Sequence, residues 1–265
     1  MATVKFISSP QNPLVKEVLA LKAKSKERRR LGRFVIEGVR EMELAVQGGY
    51  TIETVLSCPE IMGDNAGLPQ LEPYESIHLS KSVYEKLAHR EGTEGVLAIA
   101  KMKAHGLDDL EFKRENPLIL VAEAPEKPGN IGALLRTADA ADLDAVIIAN
   151  PKTDLYNPNI VRSSVGCLFT VPTAIGQTNQ IIDFLKRKQI RIFCAALTAS
   201  EPYTDCDFKT ASALVVGTEA TGLSAEWLQH ADQNIIIPMK GVIDSLNVSV
   251  SAAILIFEAE RQRGS

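Results

Sequence analysis

The chain has 265 residues, 45% of them hydrophobic and 23% charged, with a formal net charge of −4 and a pI of about 5.7. That length is ample for a sizeable core in one large or two ordinary domains. The balance is that of a soluble globular chain and excludes a wholly basic nucleic-acid coat, though not a local basic face. Charge is spread unevenly: residues 1–40 carry ten Lys/Arg against three acids, a net of +7, while the other 225 residues net −11. Such an end suits a polyanion partner or, equally, a solvated helix face.

Cys58, Cys167, Cys194 and Cys206 are widely scattered. No pair has metal-ligand spacing and no disulfide framework emerges, so no metal is expected. Cys194 lies in an apolar run and reads as a buried thiol. No apolar run is long enough to span a bilayer and no cleavable apolar leader begins the chain, so a reducing cytoplasm is the default expectation.

Leu14, Val15, Val18, Leu19 and Leu21 recur at helical spacing with lysines between them. Residues 33–38 read as a strand leading into a helix over about 38–47, and residues 51–56 as a strand. Ser80 can cap a helix over 81–88, and residues 96–100 form a further strand. Residues 102–116 turn polar and charged, which marks a boundary. The expected division is a domain over 1–104, a linker over 105–116 and a second domain over 117–265. In the second, residues 118–122 are a continuous apolar run, as a strand covered on both faces requires. A helix fits 130–141, a strand 145–149, and helices 157–163 and 178–188. Strands fit 190–197 and 213–216. Ser224 can cap a helix over 225–230, a short strand over 235–237 stops at Pro238, and a final helix runs over about 246–263. This alternation predicts an α/β fold with a mainly parallel sheet.

Ligands of open parallel sheets bind beyond the carboxyl ends of strands, so three loops carry the candidate chemistry. The first runs from Glu123 through Pro125, Pro128, Gly129 and Asn130 to Arg136. Asn130 can cap the next helix and Arg136 can be a surface charge, or both can serve a site. The second, residues 217–224, sets Gly217 and Gly222 around Glu219. Glycines allow close approach of a ligand, and the central carboxylate disfavours a pyrophosphate. The third, residues 237–253, ends in Ser245 and Asn247 where a helix starts, with small residues behind them.

Asn130-x5-Arg136, Gly217-x-Glu219-x2-Gly222 and Ile237-Pro238-Met239-x5-Ser245-Leu246-Asn247-Val248-Ser249 resemble, in that order, the three motifs of the SpoU-type 2′-O-ribose methyltransferases of the SPOUT superfamily. The resemblance covers about residues 116–263. The segment Asn157-Pro158-x3-Arg162-x-Ser164-x-Gly166-x2-Phe169 is similar to the stretch after the first motif. Residues 9–13 and 34–38 are similar, more loosely, to the L30e-like substrate-binding domain of family members that act on ribosomal RNA. Thr218, Ser251 and the Gly92-Thr93-Glu94-Gly95 turn depart from the usual residues, and no matched catalytic position is lost.

The resemblance implies a C-terminal α/β knot, a deep trefoil, behind a smaller L30e-like domain. It implies S-adenosylmethionine as cofactor, held by Leu197, Gly217, Glu219, Gly222, Ile237, Met239, Ser245, Leu246 and Asn247. Arg136 is implied as the catalytic residue, with Asn130, Glu219 and Asn247 around it. RNA would meet Arg28, Arg29, Arg30, Arg33, Arg162 and Ser164, and a homodimer is implied. An arginine is a poor literal base, because guanidinium stays protonated; an electrostatic role suits it better. Of the histidines, His78, His89 and His105 precede the matched domain and His230 lies outside its motifs. Ribosomal RNA is the expected substrate. A transfer-RNA methyltransferase and a non-catalytic RNA-binding protein are the alternatives. A nicotinamide-dependent dehydrogenase lacks its GxGxxG fingerprint after residues 4–7 or 118–122.

Overall fold

The computed structural model describes residues 5–63, 74–88, 94–197, 200–218 and 220–264. In chain order the strands and helices are β1 (Lys5–Ile7), α1 (Pro13–Ala23), α2 (Ser25–Leu31), β2 (Arg33–Glu37), α3 (Val39–Gln47), β3 (Ile52–Ser57), α4 (Pro59–Met62), β4 (Glu75–Leu79), α5 (Lys81–Leu87) and β5 (Val96–Lys101). There follow β6 (Leu118–Glu123), α6 (Pro128–Ala140), β7 (Ala145–Ala149), α7 (Pro158–Ser163), α8 (Cys167–Thr170), β8 (Thr173–Gly176), α9 (Thr178–Arg187), β9 (Arg191–Ala195), β10 (Glu201–Pro202), β11 (Ser212–Val216), α10 (Ala225–His230), β12 (Gln233–Ile236) and α11 (Val248–Arg263). The chain forms two compact units, one ending its first stretch at Lys103 and including Asp154–Thr170, the other built from Ala104–Thr153 and the residues from Val171 onward.

The first unit holds a mixed sheet in the order β1-β4-β3-β5-β2. Strands β1 and β3 run parallel to β4, while β5 runs antiparallel to β3 and β2. One core gathers Val15, Val18 and Leu21 of α1 with Val83, Tyr84 and Leu87 of α5 and with Leu56, Ile77, Leu97 and Ile99 of the sheet. A cut at residues 105–116 would give Asp154–Thr170 to the second domain, but the segment packs in the first unit. Ring contacts and an ion pair hold it there. The Tyr156 ring lies 4.3 Å from that of Phe34, and Phe169 meets Tyr50 edge-on at 5.1 Å. Arg28, 3% exposed, grips Asp154 through Nε at 2.9 Å and Nη2 at 2.6 Å, and donates through Nη1 to the Leu21 carbonyl. Gly48 touches the Phe169 carbonyl so closely that a Cβ would lie 1.8 Å from its oxygen.

The second unit is a seven-stranded sheet in the order β10-β12-β9-β11-β6-β7-β8, with every neighbouring pair parallel. Strands β6, β7 and β11 are buried throughout, which explains their unbroken apolar sequences. Helix α11 is tied to the amino edge of the sheet by arginines. Arg263 donates to the carbonyls of Asn116, Phe208 and Thr210, and Arg114 pairs with Glu260 at 2.7 Å.

Several expected boundaries shift. Helix α2 and strands β4 and β8 had no recognised signal: α2 is SKERRRL without apolar periodicity, and β4 and β8 are short, with polar residues at alternate positions or at one end. Helix α6 starts at Pro128, with Lys127 as its N-cap, because proline suits the first helical turn. Asn130 therefore sits inside the helix and does not cap it. Neither Ser80 nor Ser224 makes a side-chain cap bond. The turn at residues 92 and 93 and His89 lie outside the described residues.

Replacing Arg28 with Met should lower unfolding free energy by about 3–5 kcal/mol in urea denaturation, because Asp154 is left buried and unpaired. Adding Asp154→Leu should recover most of that loss; a double variant as unstable as the single one would contradict this account.

Candidate active site

Parallel pairing sends the carboxyl ends of β12, β9, β11 and β6, four neighbours in the sheet, to one edge. Each sequence-derived loop leaves from one of them. Residues 124–130 follow β6, Gly217–Gly222 follows β11, Leu197 follows β9, and Ile237 to Asn247 follow β12. The strands continue to β7 and β8 on the other side of β6, so the loops gather where the order of connection reverses.

The loop after β11 is a closed hairpin. Thr218 and Gly222 exchange two backbone hydrogen bonds at 3.1 Å, and the Thr218 hydroxyl accepts from the Thr221 amide at 3.0 Å. Gly217 is required here, since a Cβ would lie 2.2 Å from the Gly222 carbonyl carbon. Gly222 takes φ 67°, a left-handed conformation that favours glycine. Glu219 lies outside the described residues. At the loop's exit Ser224 turns both its amide and its hydroxyl to Glu123, each at 2.8 Å.

The first and third motifs meet directly. The Asn247 side-chain amide donates to Asn130 Oδ1 at 3.3 Å. Asn247 Oδ1 also caps α11, accepting from the Ser249 amide at 3.0 Å and its hydroxyl at 2.6 Å. Its two roles lock the start of α11 to the first turn of α6. Arg136 is exposed on α6, six residues beyond Asn130, or about 9 Å along the helix axis. Ser245 donates to Asp244 at 3.1 Å. Around the edge, Leu197 is exposed while Ile237, Met239 and Leu246 are half-buried, so this edge carries accessible apolar surface.

The residues suit S-adenosylmethionine. Gly222 has open space where a Cβ would stand, so a ligand can approach the backbone there, the half-buried apolar side chains at this edge offer contact for an adenine, and residues 217–224 contain no Lys or Arg to bind a phosphate. Cys194 offers no rival nucleophile: burial, then the charges of Glu123 and Asp232, push its thiol up to about 12. Among the described residues no cluster of His, Cys, Asp and Glu could hold a metal ion.

The expected RNA contacts divide. Arg29, Arg30 and Arg162 are exposed on the first unit. Arg28 is corrected to a structural residue, its charge committed to Asp154. Ser164 is corrected likewise, being fully buried with its hydroxyl on the Val161 carbonyl at 2.9 Å. Arg33 is half-buried and paired with Glu17 and Glu53. In the sequence Glu123 stands only at the start of the first loop. A carboxylate closing a five-residue apolar run was the available signal.

This is an α/β unit with its sequence-derived loops gathered at the carboxyl edge of a parallel sheet. The SpoU rRNA Methylase family matches residues 117–257, and an MRM3-like substrate binding domain matches residues 12–98. The chain is 32% identical over 253 residues to the 23S rRNA (uridine(2479)-2′-O)-methyltransferase of Streptomyces viridochromogenes, covering 92% of this chain and 88% of that one. It is 31% identical over 256 residues to the 23S rRNA (guanosine(2553)-2′-O)-methyltransferase RlmP of Bacillus subtilis strain 168, covering 96% and 98%. The crystal structure of the SpoU methyltransferase AviRb from Streptomyces viridochromogenes in complex with AdoMet superposes with a TM-score of 0.88 at 30% identity, covering 96% of this chain and 99% of that one. The chain belongs to the SpoU rRNA methylase family.

Gly217→Ala should open the hairpin and weaken S-adenosylmethionine binding by about tenfold or more, since a new Cβ collides with backbone that cannot yield. Titration calorimetry on the folded variant checks this, and cofactor affinity at the wild-type level would contradict it.

Proposed function

We propose that this chain transfers the methyl group of S-adenosylmethionine to a ribose 2′-hydroxyl of 23S ribosomal RNA, with Arg136 as the catalytic residue. The observation that carries the reading is the meeting of the first and third motifs through Asn130 and Asn247, beside the glycine hairpin after β11. The ribosomal substrate is favoured by the relatives, both named for 23S rRNA.

When bound, S-adenosylmethionine supplies a sulfonium methyl, already electrophilic. The chain's residues must then align a ribose oxygen, exclude water and favour loss of the hydroxyl proton. Arg136 lies exposed, where it can reach RNA. Its guanidinium stabilises the developing alkoxide and the neighbouring phosphate, and the proton leaves to phosphate or water. Asn130 and Asn247 set the start of α6 relative to α11, and Glu219 orients Arg136 or the ribose. Leu197, Ile237, Met239 and Leu246 would hold the cofactor through apolar contact, with Gly217, Gly222 and Ser245 contributing the loop backbone around it. Loops of this kind in the family form a trefoil knot, and we assign the knot to residues of the second and third motifs.

Exposed Arg29, Arg30 and Arg162 hold RNA phosphates through contacts that carry no sequence information. A homodimer is proposed through α11, where Val250 and Phe257, 47% and 52% exposed, lie seven residues apart on one face. No helix among the described residues is long and apolar enough to cross a membrane. A cytoplasmic location is proposed with the ribosomal substrate.

Mass-spectrometric mapping of 2′-O-methyl groups in ribosomal RNA from cells with and without the gene should find one site lost in the deletion. An unchanged map would refute the substrate. Arg136→Lys should reduce turnover on that RNA by about a hundredfold with cofactor affinity unchanged, because the ammonium lacks the guanidinium fork. Near-normal turnover of the lysine variant would remove Arg136 from the catalytic role.

A further inference from the structure

Glu123 ends the wholly buried strand β6 and is itself 6% exposed. Its carboxylate accepts three hydrogen bonds. Oε2 takes the Ser224 amide at 2.8 Å, and Oε1 takes the Ser224 hydroxyl at 2.8 Å and the Thr178 hydroxyl at 3.3 Å. Thr178 is held in turn, its hydroxyl accepting from the Asn150 side-chain amide at 2.8 Å. One carboxylate thus links the carboxyl ends of β6, β7 and β8 to the exit of the loop after β11.

We propose that Glu123 is a positioning residue for cofactor binding, clamping the exit of residues 217–224. This rests on the reading that the same loop holds S-adenosylmethionine. Parallel register pairs Val216 with Ala122, so the loop's entry is fixed by the ladder to β6. Its exit is fixed by the side chain of the next residue on that same strand. Both ends of the hairpin are therefore referred to one rigid strand. Ser224 is the N-cap of α10 yet makes no side-chain cap bond. Its hydroxyl serves Glu123 instead. A buried carboxylate needs several donors to offset desolvation, and here Ser224 supplies two of the three. Any shift of Ser224 leaves that charge under-bonded, so the exit of the loop has one favoured position.

The full chain with the substitutions Glu123→Ala, Glu123→Gln, Ser224→Ala and Gly217→Ala tests this by titration calorimetry with S-adenosylmethionine, alongside thermal melting and filter binding to 23S RNA. Glu123→Ala should weaken cofactor binding by about tenfold or more, and Ser224→Ala, which keeps the amide contact, by about threefold. Glu123→Gln should stay within about threefold, because its oxygen can accept from the Ser224 amide while its NH2 donates to the hydroxyl. RNA affinity should remain within about twofold throughout, which a general loss of structure would not allow. If Gly217→Ala loses the cofactor while Glu123→Ala and Ser224→Ala bind like wild type, the clamp is overturned and the loop reading survives. Wild-type affinity in all three overturns both. Should Glu123→Ala not fold, Ser224→Ala decides: unchanged cofactor affinity with a lowered melting temperature overturns the proposal.

Discussion

Parallel pairing is the constraint on which the catalytic unit depends. Each neighbouring pair in the seven-stranded sheet runs in the same direction, so every strand delivers its carboxyl end to one edge. Four adjacent strands then place four loops side by side, although those loops span residues 124 to 247. No individual loop needs to reach far, and short hydrogen bonds suffice to join them. The bond between Asn130 and Asn247 closes a separation of 117 residues at 3.3 Å.

Among the described residues, the buried charges Arg28 and Glu123 each meet several partners, and so does the half-buried Arg263. Arg28 has both oxygens of Asp154 and the Leu21 carbonyl. Glu123 has three donors. Arg263, whose pKa burial lowers, donates to the backbone carbonyls of Asn116, Pro117, Phe208 and Thr210 at the amino edge of the second sheet. Such groups contribute little net stability compared with apolar replacements, but losing one partner is costly. They therefore specify one arrangement of the segments they join: Asp154–Thr170 onto the first unit, and α11 onto the edge of the second.

The glycine hairpin shows the same economy of means. Its entry is a strand, its exit a hydrogen-bonded serine, and its middle an exchange of two backbone bonds between Thr218 and Gly222. A loop without Lys or Arg does not repel a cationic ligand such as a sulfonium. Arg136 stands apart on a helix, exposed, where an electrostatic role toward an incoming polyanion is open to it.

Much of this was legible in the chain itself. Unbroken apolar runs at residues 118–122, 145–149 and 213–216 mark buried parallel strands, because only strands covered on both faces can dispense with alternation. Motif order and spacing identify the family, and Gly217 and Gly222 mark a loop where side chains do not fit. What the tertiary structure alone decided concerns partners far apart in sequence. Nothing near Arg28 distinguishes it from Arg29 or Arg30; its burial follows from Asp154, 126 residues away. Asn130 reads as a cap until Pro128 is seen to start the helix. Strand β8, four residues long, exists because β7 offers it an edge. Glu123 became visible as a clamp only when the fold brought Ser224 and Thr178 to it. Local pattern records what a residue does to its own backbone, whereas the pairing of buried charges is settled by topology.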